Sequence, residues 1–191
     1  MKKRIDKGDF GYINNHKIYT IFRTVLFFAM ALGIYAIGYV NTGTNKNLLT
    51  IVAILGLLPA SKSCVNMIMF LRFKSLDKSL HSRLKDSAQG TVLLYENVLT
   101  TTEKSYFLPA ILYRNHTIIS YCENKANEAL AIIENHLKES MKIEKIDVTV
   151  KVFKNEEQFI DRCIGLCRME QDDEDKSLLE TVYATIKAIS L

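Results

Sequence analysis

The sequence predicts an α/β fold of the α+β kind: an N-terminal two-helix transmembrane hairpin, then a small domain with a three-strand meander, a helix, a fourth strand and C-terminal helices. Three observations predict it. Two long apolar runs lie within the first 72 residues, separated by a short polar loop. Beyond residue 89 the apolar residues recur first with period two and then with the helical period. Charge divides along the same line, with 13 Lys/Arg against 3 Asp/Glu in residues 1–85 and 12 against 18 in residues 86–191. The net charge of +4 and the pI near 8.8 are therefore mostly a topology signal. The acidic C-terminal part speaks against a nucleic-acid-binding domain.

The chain reads as a basic N-terminus (1–23), a hairpin (24–72), a basic connecting helix (73–88) and an α/β domain (89–191). The first apolar run spans about Thr24 to Val40, and at roughly 1.5 Å per residue it covers roughly 25 Å, enough to cross a hydrocarbon core. Arg23 lies at its edge, where its side chain can reach the headgroups. The second run, about Leu48 to Leu71, is long enough to span with tilt. The loop at 41–47 is short, so the spans are antiparallel neighbours. Basic residues flank both outer ends (Lys2, Lys3, Arg4, Lys7, Lys17 and Arg23; Arg72, Lys74, Lys78, Arg83 and Lys85), whereas the loop holds only Lys46. This predicts a cell-membrane protein with two spans and both termini cytoplasmic. The alternative for the basic N-terminus is a signal peptide, but no small-residue cleavage site follows it.

Lys62 is the odd residue of the second span. It lies about 15 Å of helix from Arg72, and no acidic residue occurs between Asp9 and Asp77. A mid-membrane cation costs at least about 2.5 kcal/mol. Pro59 lacks an N–H and frees the carbonyl of Leu55. Leu55, Pro59, Lys62 and Asn66 share a helical face, so Lys62 is expected to donate to the carbonyls near Leu55, with Tyr35, Tyr39 or a water beside it. Lys62 either meets an acidic residue of another membrane protein, lines a polar path, or is merely tolerated. Small residues also recur at helical spacing, Ala29, Gly33 and Ala36 on one span and Gly56, Ala60 and Cys64 on the other. These faces are expected to pack on each other, with a homo-oligomer interface as the alternative.

In the second half, Phe73–Ala88 reads as a basic helix with Leu76, Leu80 and Leu84 on one side, lying on headgroups or docking on the domain. Thr91–Thr100, Tyr106–Tyr113 and Thr117–Cys122 read as strands. Thr102–Lys104 turns the chain, and Asn115-His116 makes a tight hairpin turn. Pro109 predicts an edge strand or a bulge. A helix from about Lys125 to Met141, capped by Asn124, carries Ala126, Leu130, Ile133, Leu137 and Met141. Ile146, Val148, Val150 and Val152 alternate in a fourth strand. Asn155 and Gln158 suggest a capping box before Phe159, Ile160, Cys163, Leu166 and Cys167. Residues 171–175 read as an acidic linker. A last helix bearing Leu179, Val182, Ile186 and Ile189 covers the domain or binds a partner.

Candidate chemistry is sparse. Cys122, Cys163 and Cys167 with His116 are the possible metal ligands, at spacings unlike a zinc ribbon or finger. His16, His81 and His136 lie on polar stretches and read as solvated. No phosphate loop, Gly-x-Ser-x-Gly or His-Glu-x-x-His occurs, and no cofactor is expected. The element order, with Glu123-Asn124-Lys125 at the end of the hairpin, resembles the restriction-endonuclease-like fold, whose site uses an acid on one strand and Glu-x-Lys on the next. That resemblance implies Glu123 and Lys125 as catalytic candidates. The acid of the preceding strand is missing, where Pro109 and Ala110 stand. With Leu58–Lys62 in the second span, the 115–122 hairpin arm and the Val148–Phe153 strand, the chain also resembles uncharacterised two-span membrane proteins of Gram-positive bacteria. The expected role is protein interaction or regulation at the lipid bilayer. A degenerate membrane-tethered nuclease or hydrolase and a transporter accessory subunit are the alternatives.

Overall fold

The computed structural model describes residues 5–88, 90–101, 104–123, 126–171 and 173–191. The chain forms two compact units, Ile13–Lys74 and Met1–Tyr12 with Ser75–Leu191. The fold is the α+β arrangement that the sequence predicts.

The first unit is a helical hairpin of α1 (Tyr12–Thr42) and α2 (Leu48–Leu71). Both helices are long and apolar enough to cross a membrane, each with an 18-residue window of mean hydropathy 1.9. Their outward faces carry uncovered Phe22, Val25, Leu32, Val40, Ile51 and Leu58, the kind of exposed apolar surface that marks a membrane or protein contact. The first helix starts twelve residues before Thr24. Polar residues such as Asn14 and Lys17 do not end a helix, and it is Gly11 and Gly43, at φ +83° and +64°, that bracket it. Asn47 caps α2 by accepting from Thr50 N at 2.8 Å.

The seam between the helices is made by Thr20, Thr24, Ala31 and Gly38 against Ala53, Ala60, Ser63 and Phe70, all buried. Spacings of seven recur on both helices (Thr24, Ala31, Gly38; Ala53, Ala60), the repeat of left-handed helix pairing. A Cβ on Gly56 would stand 3.7 Å from that of Ala31, and one on Gly38 would strike Asn47 and Leu49 at 2.8 Å. The expected pairing of small-residue faces is thus corrected on α1. Ala29, Gly33 and Ala36 are exposed, because the hydroxyls of Thr20 and Thr24 turn the neighbouring stripe inward.

The second unit is a three-layer sandwich. Its sheet has the order β1-β2-β3-β4, with β1 (Leu93–Thr100), β2 (Ser105–Arg114) and β3 (Thr117–Tyr121) as an antiparallel meander. The helix α4 (Asn127–Ile143) crosses over to β4 (Thr149–Phe153), which is parallel to β3. One face packs against α4 and α6 (Asp173–Ile189) through Ile111, Ile118, Ile133, Leu137, Val182 and Ile186. The other packs against α3 (Lys78–Ser87) and α5 (Glu156–Cys167) through Leu84, Leu112, Ile119, Phe159 and Leu166. α6 is therefore a cover. The Asn115-His116 turn has both residues at positive φ, +50° and +52°, as a two-residue hairpin whose twist matches its strands requires.

Several local expectations change. Pro109 lies in a central strand, not an edge strand. Glu96 and Pro109 face each other without a ladder pair, and Glu96 has φ +52°. Both strands change phase there: Leu94 and Ile111 share one core face with Leu99 and Leu108, an odd number of residues away. The missing proline N–H breaks the ladder, and the slip on both strands preserves the register. α3 begins at Lys78 with Asp77 as its cap, not at Phe73, and its stripe of Leu76, Leu80 and Leu84 docks on the sheet. α4 begins after Ala126, which is exposed; Asn124 and the turn at Thr102 and Glu103 lie outside the described residues. Asn155 caps α5 in position but makes no side-chain bond. Glu156 instead pairs with Arg83 of α3 at 2.7 Å. Residues 173–175 of the acidic run open α6 instead of forming a linker, and Asp175 is fully buried.

Both sheet edges are covered in part. Gly8 bridges Tyr95 on β1, with Tyr95 N donating to Gly8 O at 2.7 Å, and Ser190 bridges Leu99. On β4, Val152 N donates to Glu134 Oε1 at 2.8 Å. Such cover blocks pairing with foreign strands.

Candidate functional site

The polar residues of the hairpin are gathered at one level. Thr20 and Thr24 lie one helical turn apart on the inner face of α1, and each hydroxyl bonds back to a carbonyl of the preceding turn. Thr24 Oγ1 also meets Ser63 Oγ of α2 at 2.8 Å, inside the seam. Arg23, beside them, donates from Nε to Ser63 Oγ at 3.2 Å and lies 5.5 Å from the centre of the Tyr19 ring. Ser63 is thus the joint between two apolar helices, satisfied on both sides as a buried hydroxyl must be.

Next to this joint lies a groove of about 650 Å³ lined by Arg23, Phe27, Pro59, Lys62, Ser63, Val65, Asn66 and Met69. Three of the four residues assigned from sequence, Pro59, Lys62 and Asn66, line it together. Leu55 does not: it points outward, 59% exposed. The expected bond from Lys62 to the carbonyl of Leu55 is not made, since Lys62 has no hydrogen bond or ion pair among the described residues. Tyr35 donates instead to Asn45 in the loop, and Tyr39 is exposed. The reason is rotational. Burying Ala60 and Ser63 on the seam leaves Leu55 and Lys62 exposed, with Lys62 on the wall of the groove that Arg23 also lines.

Arg23 is the residue that sequence reasoning missed. It reads as an anchor at the span edge because a single sequence does not reveal which residues of an antiparallel helix lie level with it. The available signal is the Thr20–Arg23–Thr24 cluster at helical spacing, whose hydroxyl and guanidinium partner on α2 is Ser63, next to Lys62. The Arg23–Ser63 bond places Lys62 at the level of Arg23, so the two cations share one depth. The two helices thus place an arginine and a lysine on the lining of one groove whose other walls are mainly apolar, with Ser63 and Asn66 as further polar members.

The other candidates are dispersed. Cys122 lies in the core facing α4 and α6, while Cys163 lies in the core on the other side of the sheet. The sheet separates them, and among the described residues no cluster of three metal-ligating groups forms. Burial, then the neighbouring Cys167, pushes the Cys163 thiol up to about 12, which makes it an inert apolar side chain at neutral pH. Glu123 is exposed beyond the end of β3, and Lys125 lies outside the described residues. The buried carboxylate of this region is Glu96, opposite Pro109. It accepts from Ser75 Oγ and from Leu76 N at 2.8 Å, fixing the segment that leads into α3.

Two histidines expected in solvent are packed. His16 packs against Phe70 with tilted rings, centroids 4.3 Å apart. His81 is held between Phe10 at 4.0 Å and Tyr95 at 4.6 Å, and burial, with Lys85 adding to it and Glu96 opposing, lowers its pKa. Asp175 grips the hairpin turn: it accepts from Asn115 N at 2.8 Å, His116 N at 2.9 Å and Gln171 Nε2 at 2.9 Å. These contacts are structural, whereas the hairpin groove brings two cations, Arg23 and Lys62, onto one lining. Comparison of the chain with protein-family models, curated proteins and solved structures finds no match.

Proposed function

We propose that this chain is a two-span membrane protein with both termini in the cytoplasm. It holds its α/β/α domain at the inner surface as an interaction or regulatory module, and its anchor recognises an anionic group through Arg23 and Lys62. The observation that carries this reading is the cation pair. Arg23 and Lys62 line one groove, and residues 10–76 contain no Asp or Glu to neutralise them. Uncompensated charges within or beside a low-dielectric layer are costly, so retaining two on one groove points to an anion supplied from outside the chain. The basic flanks and the nearly uncharged loop support the orientation.

Topology tests the frame. A membrane-impermeant maleimide added to intact cells labels Thr44→Cys in the loop and leaves Lys154→Cys in the domain unlabelled until the membrane is opened. The reverse pattern, or equal labelling, refutes it.

A further inference from the structure

Accepting the membrane reading, we infer that the groove between α1 and α2 binds the phosphate of an anionic phospholipid headgroup, with Arg23 and Lys62 as its charge partners. Four observations lead there.

The first is donor supply. Arg23 spends Nε on Ser63, and neither its two terminal nitrogens nor Lys62 Nζ has a polar partner among the described residues. A guanidinium fork from α1 and an ammonium from α2 on one groove suit the spread oxygens of a phosphate. Asn66 adds an amide to the same wall. The second is the want of an acid, since nothing in residues 10–76 can serve as counter-ion.

The third is the shape of the cavity. A groove of about 650 Å³ walled by Phe27, Pro59, Val65 and Met69 is far larger than one carboxylate side chain. A headgroup with its glycerol and first acyl carbons fills it, and Val65, 59% exposed, marks a rim open to the outer surface of the hairpin. Methionine and phenylalanine adapt to a flexible chain.

The fourth is level. Toward the loop from Arg23 and Lys62, the side chains of α1 and α2 are apolar almost without break, from Val25 to Val40 and from Leu48 to Ala60. In the other direction α1 carries Asn14, Asn15, His16 and Lys17. Arg23 therefore stands where the apolar stretch of α1 meets a polar one, the level at which lipid phosphates lie, while α2 continues apolar from Val65 to Leu71 except for Asn66. A carboxylate from another membrane protein offers the charge but leaves the apolar groove unfilled.

The test uses the full chain in nanodiscs of phosphatidylcholine with phosphatidylglycerol, released into mild detergent and weighed by native mass spectrometry. Wild type is expected to retain phosphatidylglycerol in preference to phosphatidylcholine. Arg23→Gln and Lys62→Gln each weaken that retention roughly fivefold, as expected for loss of one cation near the lipid surface. Arg23→Lys and Lys62→Arg keep the charge and keep the lipid, which separates charge recognition from damage to the fold. Lys74→Gln, on the exposed flank, leaves retention unchanged. Equal retention of the two lipids by wild type overturns the inference, as does an unaltered preference in the double glutamine variant. Displacement by millimolar inorganic phosphate overturns the lipid as ligand in favour of a soluble phosphate. A photo-cross-link from position 62 to an acidic membrane protein in place of lipid overturns it in favour of a protein. Nanodiscs present the same lipids on both faces, so an inverted topology would fail the labelling experiment and leave this one readable.

Discussion

Replacing Asp175 by alanine removes the clamp on the β2–β3 turn. The carboxylate is fully buried and accepts from the backbone of Asn115 and His116 and from Gln171 at 2.8–2.9 Å, with Tyr113 as a further side-chain donor. Each bond to a charged acceptor ordinarily contributes roughly 1.5–3 kcal/mol. Both turn residues are only half-buried, so water partly compensates the lost donors, and the net cost is about 3 kcal/mol. For a domain of roughly a hundred residues that lowers the melting temperature by more than about 10 °C. Asp175→Asn keeps the shape and one acceptor, and costs about half as much. Acid sharpens the test. Burial raises the pKa of Asp175, but the hydrogen bonds from His116, Tyr113, Asn115 and Gln171 outweigh it and hold the carboxyl below its ordinary value. A depressed pKa means that the stabilisation is present above the unfolded carboxylate range, about 4, and is lost as pH falls through the folded value. Wild type should therefore lose stability on that limb, and both variants should lose less. The assay is thermal unfolding of the full chain in detergent, followed by tyrosine near-ultraviolet dichroism, with hydrogen exchange at Asn115 and His116. An Asp175→Ala melting point within about 2 °C of wild type would refute the clamp.

Three further outcomes are expected. Ala31→Cys with Gly56→Cys should form a disulfide in native membranes, because the Cβ positions are 3.7 Å apart and a disulfide needs roughly 3.5–4.5 Å; a failed cross-link would remove the helix register that sets Lys62 level with Arg23. Gly8→Ala places a Cβ 2.7 Å from Leu94 Cδ2 at φ +90°, and should cost about 1–3 kcal/mol and open the N-terminal segment to limited proteolysis, with an unchanged digestion pattern counting against the edge contact. His81 has a lowered pKa, so its neutral form stabilises the domain above about pH 6.5 and that contribution fades as pH falls toward the folded value; denaturation at pH 7.5 and 5.5 should show a loss that His81→Phe abolishes, and an equal loss in that variant would place the pH effect elsewhere.

The legible part of this protein is what local pattern controls. Ile133, Leu137 and Met141 at helical spacing, and the Asn115-His116 pair between two apolar runs, specify their elements through side-chain period and backbone conformation. The illegible part depends on partners distant in sequence. Pro109 announces a ladder defect, but only the opposing Glu96 decides that the strand stays central. The run at 171–175 looks like a solvated linker because its composition is acidic. Asp175 is buried only because the fold brings two unpaired turn amides to it, across sixty residues.

The same division governs the hairpin. Length, hydropathy and the placement of lysine and arginine determine two apolar helices, a short loop between them and an unmatched Lys62, since each of these is a property of a segment by itself. Which faces of those helices meet is decided by tertiary structure. Several small-residue stripes are compatible with close packing, and the hydroxyls of Thr20, Thr24 and Ser63 select one by satisfying each other and their own backbone inside the seam. That rotation turns Leu55 outward and sets Arg23 beside Lys62. Two isolated cations in the sequence thereby become one charged groove, because electrostatic energy depends on distances that only the packed helices define.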